Sequence, residues 1–387
     1  MKIGLLTLHD SINYGALLQA YALSSVYRSL GHETVLIDRR RDRRGWALKW
    51  ELSALSPLAR LPWFLNATGI WAEWRRRRRS RAFLRGQIGL TPYHFAAWRE
   101  APRELGVDLL SVGSDQVWNA GIHDPLDYLP GRIPADVPAI SYAASVGMKD
   151  VPEALKDPFR RALGGFRAVS VRDRGAVDAL ARLGATAAHV VDPVILAGRP
   201  VWDELVGRPA ASGRVVVYLL GVYLPPIIEE LVVRCERTGV EIDFFVGRLV
   251  VDPLTRRKHP RLFRNLKFWR SCRRSPKFHL HLDDGPESFV RAIAAAQAVV
   301  TSSYHALLFS VLYGKNVRFV VPDAATPQSG MMVRLADYVD EIVRGPLLQP
   351  SLSAAFDSLV RGETTAVDGD ELARRRATSL DWLKGVL

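Results

Sequence analysis

Thr301-Ser302-Ser303-Tyr304-His305 is a polar knot set between two apolar runs. The run before it, Ala298-Val299-Val300, reads as the end of a buried strand, and the run after it, Leu307-Leu308-Phe309-Ser310-Val311-Leu312, reads as a helix. The knot thus falls where a strand ends and a helix begins. Backbone N–H groups lack partners there, and the helix dipole favours an anion. Ligands of open α/β sheets bind at the carboxyl ends of strands. An imidazole at this place, His305, suits proton transfer on an anionic substrate. The same residue types also have plain structural uses: a serine at a helix start is often only a cap, and a histidine beside an apolar helix is often a satisfied core residue.

The surrounding elements must bring such a knot to a cleft. Residues 2–8 read as a strand, 11–15 as a turn, 16–30 as a helix and 34–38 as the next strand. This β-loop-α-β unit opens a doubly wound sheet. The second strand ends in Asp38, but no G-x-G-x-x-G follows the first, which disfavours a nicotinamide or flavin cofactor. Further strand signals fall at 107–112, 139–144, 168–171 and 188–191, and Asp192-Pro193 closes the set. A second set runs through strands at 214–220, 241–246, 299–301 and 317–321, with helices at 225–238 and 286–297. The expected fold is α/β, with two Rossmann-like domains facing a central cleft. The domains are expected at 1–195 and 196–387, with the last helix packing back on the first.

Composition narrows the setting. Lys and Arg number 53 against 40 Asp and Glu, a formal charge of +13, so acidic partners are expected. Cys235 and Cys272 cannot make a disulfide framework, which fits a reducing cytosol. No apolar run reaches the roughly 18–20 residues that span a bilayer, and His9-Asp10 stops the opening strand too early for a signal peptide. The expected location is cytoplasmic, with room for peripheral attachment to the inner face of the cytoplasmic membrane.

Six motifs then occur in order: Asn13-Tyr14-Gly15-Ala16-Leu17-Leu18-Gln19-Ala20 after the opening strand; Val112-Gly113-Ser114-Asp115-Gln116-Val117-Trp118-Asn119; Ile140-Ser141-Tyr142-Ala143-Ala144-Ser145; Val169-Ser170-Val171-Arg172-Asp173; Val191-Asp192-Pro193; and Thr301 to His305. In this ordered set the chain resembles the polysaccharide pyruvyl transferase family. It departs at Ser303, where many members carry an arginine two residues before the histidine. The resemblance implies a GT-B-like architecture, with an acceptor side in the first domain and a donor side in the second. It also implies transfer of the enolpyruvyl-derived group of phosphoenolpyruvate to a sugar as a ketal. Phosphoenolpyruvate would be a co-substrate, with no cofactor, and the acceptor a glycan or a lipid-linked precursor of the cell envelope.

Such chemistry assigns roles. A phosphate and a carboxylate need fixed cations, preferably arginine, and protonation of a methylene carbon needs an acid/base near neutrality. The expected catalytic residues are His305, Asp115 and Arg172. Donor contacts are expected from Arg172, Ser302, Ser303, His305 and Arg334, a residue near the start of a helical stretch. Acceptor contacts are expected from Asn13, Tyr14, Gly15, Ser114, Asp115, Gln116 and Trp118: Gly15 by letting backbone approach closely, Asp115 as base for the attacking hydroxyl, Trp118 by stacking on the sugar. The plain alternatives are capping for Ser114 and Asp115, core packing for Trp118, a surface ion pair with Asp173 for Arg172, and an exposed helix cation for Arg334. Lys315 reads as a turn residue.

No metal site is expected. His279 and His281 alternate on a strand near Asp283 and Asp284 but lack further spaced ligands. Residues 39–86 form a basic insertion with Arg runs at both ends and Trp46, Trp50, Trp63, Trp71 and Trp74 between. It reads as a solvated basic face, as a segment for an anionic membrane surface, or as a nucleic-acid site, the last being disfavoured. Two other functions stay open: a nucleotide-sugar glycosyltransferase using Asp283-Asp284 at a ribose, and a basic polyanion-binding protein without catalysis.

Overall fold

The computed structural model describes residues 1–9, 13–39, 70–91, 98–220, 224–247, 272–321 and 341–387. The first sheet is built from β1 (Lys2–Leu6), β2 (Glu33–Leu36), β3 (Leu109–Val112), β4 (Ala139–Ala144), β5 (Ala168–Val171) and β6 (Ala188–His189), in the order β2-β1-β3-β4-β5-β6. Every pairing in it is parallel. Parallel strands are covered on both faces, so β3 and β4 are buried at every position and read as apolar runs broken only by Ser111 and Ser141. The second sheet contains β7 (Val215–Leu219), β8 (Ile242–Val246), β9 (Phe278–His281), β10 (Ala298–Thr301) and β11 (Asn316–Val320). Its remaining strand follows β12 (Val343–Arg344) in the chain and is β13 (Leu348–Gln349), while β12 pairs with β14 (Ala366–Val367) outside both sheets. The order is β13-β11-β10-β7-β8-β9, again parallel. The chain is thus an α/β protein with two Rossmann-like sheets.

Strand order decides where a site can lie. In the first sheet the chain leaves β1 for β2 on one side and returns to β3 on the other; in the second, β7 is flanked by β8 and β10 in the same way. These reversals open crevices at the carboxyl ends of β1 and β3, and of β7 and β10. The Ser302–His305 knot follows β10, and Ser114-Asp115-Gln116 follows β3.

Helices join the two halves: α1 (Tyr14–Ser29), α2 (Ile70–Gln87), α3 (Glu153–Leu163), α4 (Arg174–Ala181), α5 (Pro193–Val206), α6 (Leu224–Thr238), α7 (Pro286–Ala295), α8 (Tyr304–Leu312), α9 (Leu352–Val360) and α10 (Gly369–Val386). One buried apolar cluster runs through α1, α5, α7 and α8, so the domains share a core. In it Tyr14 stacks on Phe289 at 4.6 Å, and Trp202 packs edge-on to Phe309 at 4.7 Å. The last helix, α10, lies against the first domain and α5. The Val191 N–H donates to Ser379 Oγ (2.9 Å), and Arg376 donates to the Leu196 carbonyl (2.8 Å). Arg376 crosses over Gly198, where α5 kinks at φ 75° and a Cβ would stand 2.8 Å from the guanidinium carbon.

The basic insertion is less solvated than its composition suggests. Residues 40–69, with Trp46, Trp50 and Trp63, lie outside the described residues, but Arg39 is buried, pairs with Asp127 and sits over the Tyr128 ring at 4.2 Å. On α2, Arg76 is fully buried, stacks on Tyr14 at 4.4 Å and donates to the Val246 carbonyl at 2.6 Å. Arg75 and Arg79 pair with Asp283. A first-domain insertion therefore holds the second domain by one face. No helix among the described residues is long and apolar enough to cross a membrane.

His281 anchors the strand end behind Asp283. Its Nε2 lies 2.8 Å from Asp243 and its Nδ1 3.2 Å from Asp284, while its ring stacks on Phe245 at 4.2 Å. Burial alone would lower its pKa, but the two carboxylates outweigh burial and raise it to about 9. A raised folded-state pKa gives stability that is complete below the ordinary histidine value and lost as pH rises through about 9. His281→Gln should therefore cost on the order of 2 kcal/mol at pH 7. Urea midpoints of the two proteins should converge by pH 10; a gap that does not narrow refutes the assignment.

Candidate active site

Arg172 is the centre of the site. It follows β5, and its side chain is 0% exposed. Its NH1 donates to Asp192 Oδ2 at 2.7 Å, its NH2 donates to Asp115 Oδ1 at 3.0 Å, and its guanidinium lies over the Tyr304 ring at 4.7 Å. Asp173 is farther, at 3.9 Å. The surface ion pair with Asp173 is thus replaced by a buried one with two other carboxylates. A guanidinium out of water needs such partners.

Asp192 was not singled out as a site residue, yet everything converges on it. Its Oδ1 accepts the Val194 N–H (2.9 Å) and so caps α5, with Pro193 at the first helical position. Its Oδ2 takes Arg172, accepts the Ser114 hydroxyl at 3.4 Å and lies 3.7 Å from His305 Nε2. The Asp-Pro pair before an apolar helix was the available signal.

His305 enters from the second domain, at the first turn of α8. Its Nε2 is 3.5 Å from Arg172 NH1, and its ring packs against Gly15 on α1. A Cβ at Gly15 would lie 2.2 Å from His305 Nδ1. The close approach expected of Gly15 is therefore made to the imidazole. Around it, Ser303 caps α8 by accepting the Ala306 N–H at 3.5 Å, and Ser302 accepts the Leu220 N–H at 2.8 Å, which ties β10 to the end of β7. Each hydroxyl keeps its own hydrogen to donate.

Asp115 has a positive φ of 65° at the end of β3, a conformation rare for residues other than glycine. Its N–H donates to Ser114 Oγ (2.5 Å), and its carbonyl accepts the Ser145 N–H (2.9 Å). Burial would raise its pKa, but Arg172, then His305, hold the carboxyl below the usual range. In this arrangement Asp115 is a partner of Arg172.

Three expected acceptor contacts lie elsewhere. Trp118 is buried against Phe159 and Phe166, and its indole N–H donates to the Tyr128 carbonyl at 3.3 Å, so it is a core residue. Tyr14 is buried between the domains and donates to the Asp284 carbonyl at 3.1 Å. Asn13 caps α1 by accepting the Gly15 N–H at 3.0 Å. Half-buried Gln116 accepts from Asn119 at 2.6 Å, and Arg334 lies outside the described residues. The first domain adds a buried pair that sequence reasoning passed over: His9 bridges the Thr7 carbonyl (3.0 Å) and Asp38 (3.2 Å), and Thr7 donates to the Ser114 carbonyl (2.9 Å).

Behind Arg172, a pocket of about 200 Å³ opens between the end of β6 and α10. Arg174, His189 and Arg375 line it, and Glu341 pairs with both arginines. Among the described residues, no group of three or more His, Cys, Asp or Glu side chains could hold a metal ion.

The polysaccharide pyruvyl transferase profile matches residues 13–323. The chain belongs to that family. The match takes in all but one strand of each sheet and every residue of the Arg172–Asp192–Asp115–His305 cluster. Among curated proteins nothing matches. Solved structures with a similar course include the UDP-GlcNAc 2-epimerase of Neisseria meningitidis (8% identity, 100% of this chain and 99% of that one, TM-score 0.47). Another is the glycosyltransferase SnogD of Streptomyces nogalater (14% identity, 99% and 95%, TM-score 0.43).

Two substitutions probe this cluster. Gly15→Ala should drive the imidazole from its place. A shift of about 1 Å in a reacting group costs on the order of a hundredfold in rate, and the added methyl in this buried contact costs about 1–3 kcal/mol of stability; full activity in the folded variant would show that the ring need not sit there. Asp192→Asn keeps an acceptor for the Val194 N–H but removes the charge beside Arg172. Unfolding in urea should show a loss of about 3 kcal/mol, and a loss below about 1 kcal/mol would mean that Asp115 alone compensates Arg172.

Proposed function

We propose that this chain transfers the enolpyruvyl-derived group of phosphoenolpyruvate to two hydroxyls of a sugar acceptor as a ketal, releasing inorganic phosphate. The observation that carries the reading is His305. It stands on the first turn of a helix from the second domain and faces the buried Arg172–Asp192 pair of the other domain, in a chain of the pyruvyl transferase family.

The reaction needs three things. The donor's phosphate and carboxylate need donors and positive potential: the N-terminus of α8, the hydroxyl hydrogens of Ser302 and Ser303, and Arg172 supply them. The methylene carbon must gain a proton to become the methyl group, which makes the adjacent carbon electrophilic. Two sugar hydroxyls must each lose a proton as their oxygens bond to that carbon and the C–O bond to phosphate breaks. One hydroxyl proton balances the methyl group and the other leaves on phosphate. His305 is the group that moves these protons. Asp192, 3.7 Å from Nε2, stabilises the imidazolium whenever the ring is charged.

The nucleotide-sugar alternative asks for an acidic ribose contact in the second domain. Asp283 is held by Arg75 and Arg79, and Asp284 by His281, so neither side chain is placed for that task.

Purified protein with phosphoenolpyruvate and candidate glycan or lipid-linked acceptors should release phosphate and form a pyruvate ketal detectable by NMR. His305→Gln should lower the rate by about a hundredfold to ten-thousandfold, the usual worth of a positioned acid/base. Full activity in that variant removes His305 from the role. Thermal stabilisation by UDP-sugars but not by phosphoenolpyruvate favours the alternative.

A further inference from the structure

We propose that the solvent face of α2 is a docking surface for an anionic lipid bilayer. The helix has two opposite faces. Ala72, Arg76, Ser80, Phe83 and Leu84 are buried against the body of the protein, where Phe83 meets Tyr21 at 5.5 Å. Trp74, Arg78, Arg81 and Arg85 are exposed. Their spacing of four, three and four residues places them in one stripe opposite the buried face. At 1.5 Å per residue the stripe is about 16 Å long.

Its chemistry is that of a membrane interface. Trp74 is 46% exposed, unusual for so large an apolar side chain. Indole rings favour the headgroup level of bilayers, and arginines beside them are drawn to anionic lipids. Arg78 lies over the Trp74 ring at 4.8 Å, so cation and indole form one unit. Among the described residues no carboxylate pairs with Arg78, Arg81 or Arg85, whereas Arg75, Arg77 and Arg79, off the stripe, are held by Asp283 and Glu73. The positive charge of the stripe is therefore available to a partner. Single-stranded nucleic acid is favoured less, because it binds along series of stacking rings and this stripe offers one.

The position of the stripe is informative. Two residues beyond Trp74, Arg76 turns inward onto Tyr14, and Gly15 next to Tyr14 touches the His305 ring. The Trp74 end of the stripe is thus the end beside the cleft. The docking itself does not rest on the transfer reaction, and its test uses no substrate.

The test is flotation of the full chain with vesicles of phosphatidylcholine alone or with about 30 mol% phosphatidylglycerol, which carry the negative surface potential that attracts basic segments. Binding is expected only to the anionic vesicles, and should weaken steeply with salt. Each arginine near such a surface is worth about fivefold in partitioning, so Arg78→Gln, Arg81→Gln and Arg85→Gln together should lower it about a hundredfold. The melting temperature should hold, since all three side chains are exposed. If the triple variant folds poorly, Trp74→Phe read by brominated-lipid quenching replaces it, with loss of quenching expected. The proposal is overturned by absent binding at low salt, by equal binding of the variants, or by tighter binding to a single-stranded RNA oligomer than to anionic vesicles.

Discussion

A guanidinium with no access to water organises this protein. Taking Arg172 out of solvent is costly by several kcal/mol unless carboxylates meet it at hydrogen-bond distance. Asp192 and Asp115 do so from two different strand ends, and Tyr304 closes the face of the group from the other domain. The demand is mutual. Asp192 is itself fully buried and holds the start of α5, which carries the shared core. The carboxyl ends of β3 and β5, the start of α5 and the start of α8 are therefore fixed relative to one another by one charge. That is also where a cleft reaction needs rigidity.

The second constraint is how a basic insertion can be structural and available at once. On α2, Arg76 serves the interior, Arg75 and Arg79 bridge to Asp283, and the cations of the opposite face carry no such partners among the described residues. A helix separates these tasks because its faces turn 100° per residue, so adjacent arginines in one run can have unrelated roles. Composition sees only the run. The His281–Asp243–Asp284 group then supports the loop that receives the bridge, and a charged imidazole keeps two carboxylates compensated there.

The sheets were legible because parallel strands are buried on both faces and read as short apolar runs; each strand read from 139–144 onward agrees with the structure to within one or two residues. The knot at Ser302–His305 was legible for the same reason, since a polar group after a buried strand must lie at its end. The partners of those residues were not. Whether Arg172 meets Asp173, its neighbour, or Asp192, twenty residues away, depends on how β5 and β6 lie side by side, which local pattern does not carry. Tyr14 and Trp118 were misplaced for a related reason. An aromatic ring near a strand end looks alike whether it faces a ligand or fills the core, and here Phe289 and Phe159 take the places assigned to a sugar. Asp192 was visible as a helix cap, but its second oxygen, the one that meets the site, has no signature in sequence.

Buried compensation has a consequence for the proposed reaction. Arg172 is out of solvent and carboxylates hold both of its terminal nitrogens, so an anionic donor that reaches those nitrogens must displace one carboxylate. Asp192 is the poorer candidate: it is the more buried, lies closer at 2.7 Å against 3.0 Å, and would uncap α5 by moving. Asp115 sits on a strand-end turn already held in an uncommon backbone conformation, and its departure breaks no helix. A donor carboxylate replacing Asp115 on Arg172 keeps the guanidinium paired, so the cation stays compensated while the incoming carboxylate bears the cost of leaving water. It also parts the Asp115 carboxylate from its ion-pair partner, which leaves that carboxylate able to accept a hydrogen bond from a sugar hydroxyl while His305 moves the protons. In the proposed reaction, that sequence of events has the donor bind before the acceptor is positioned. The order follows from which ion pair is cheaper to break.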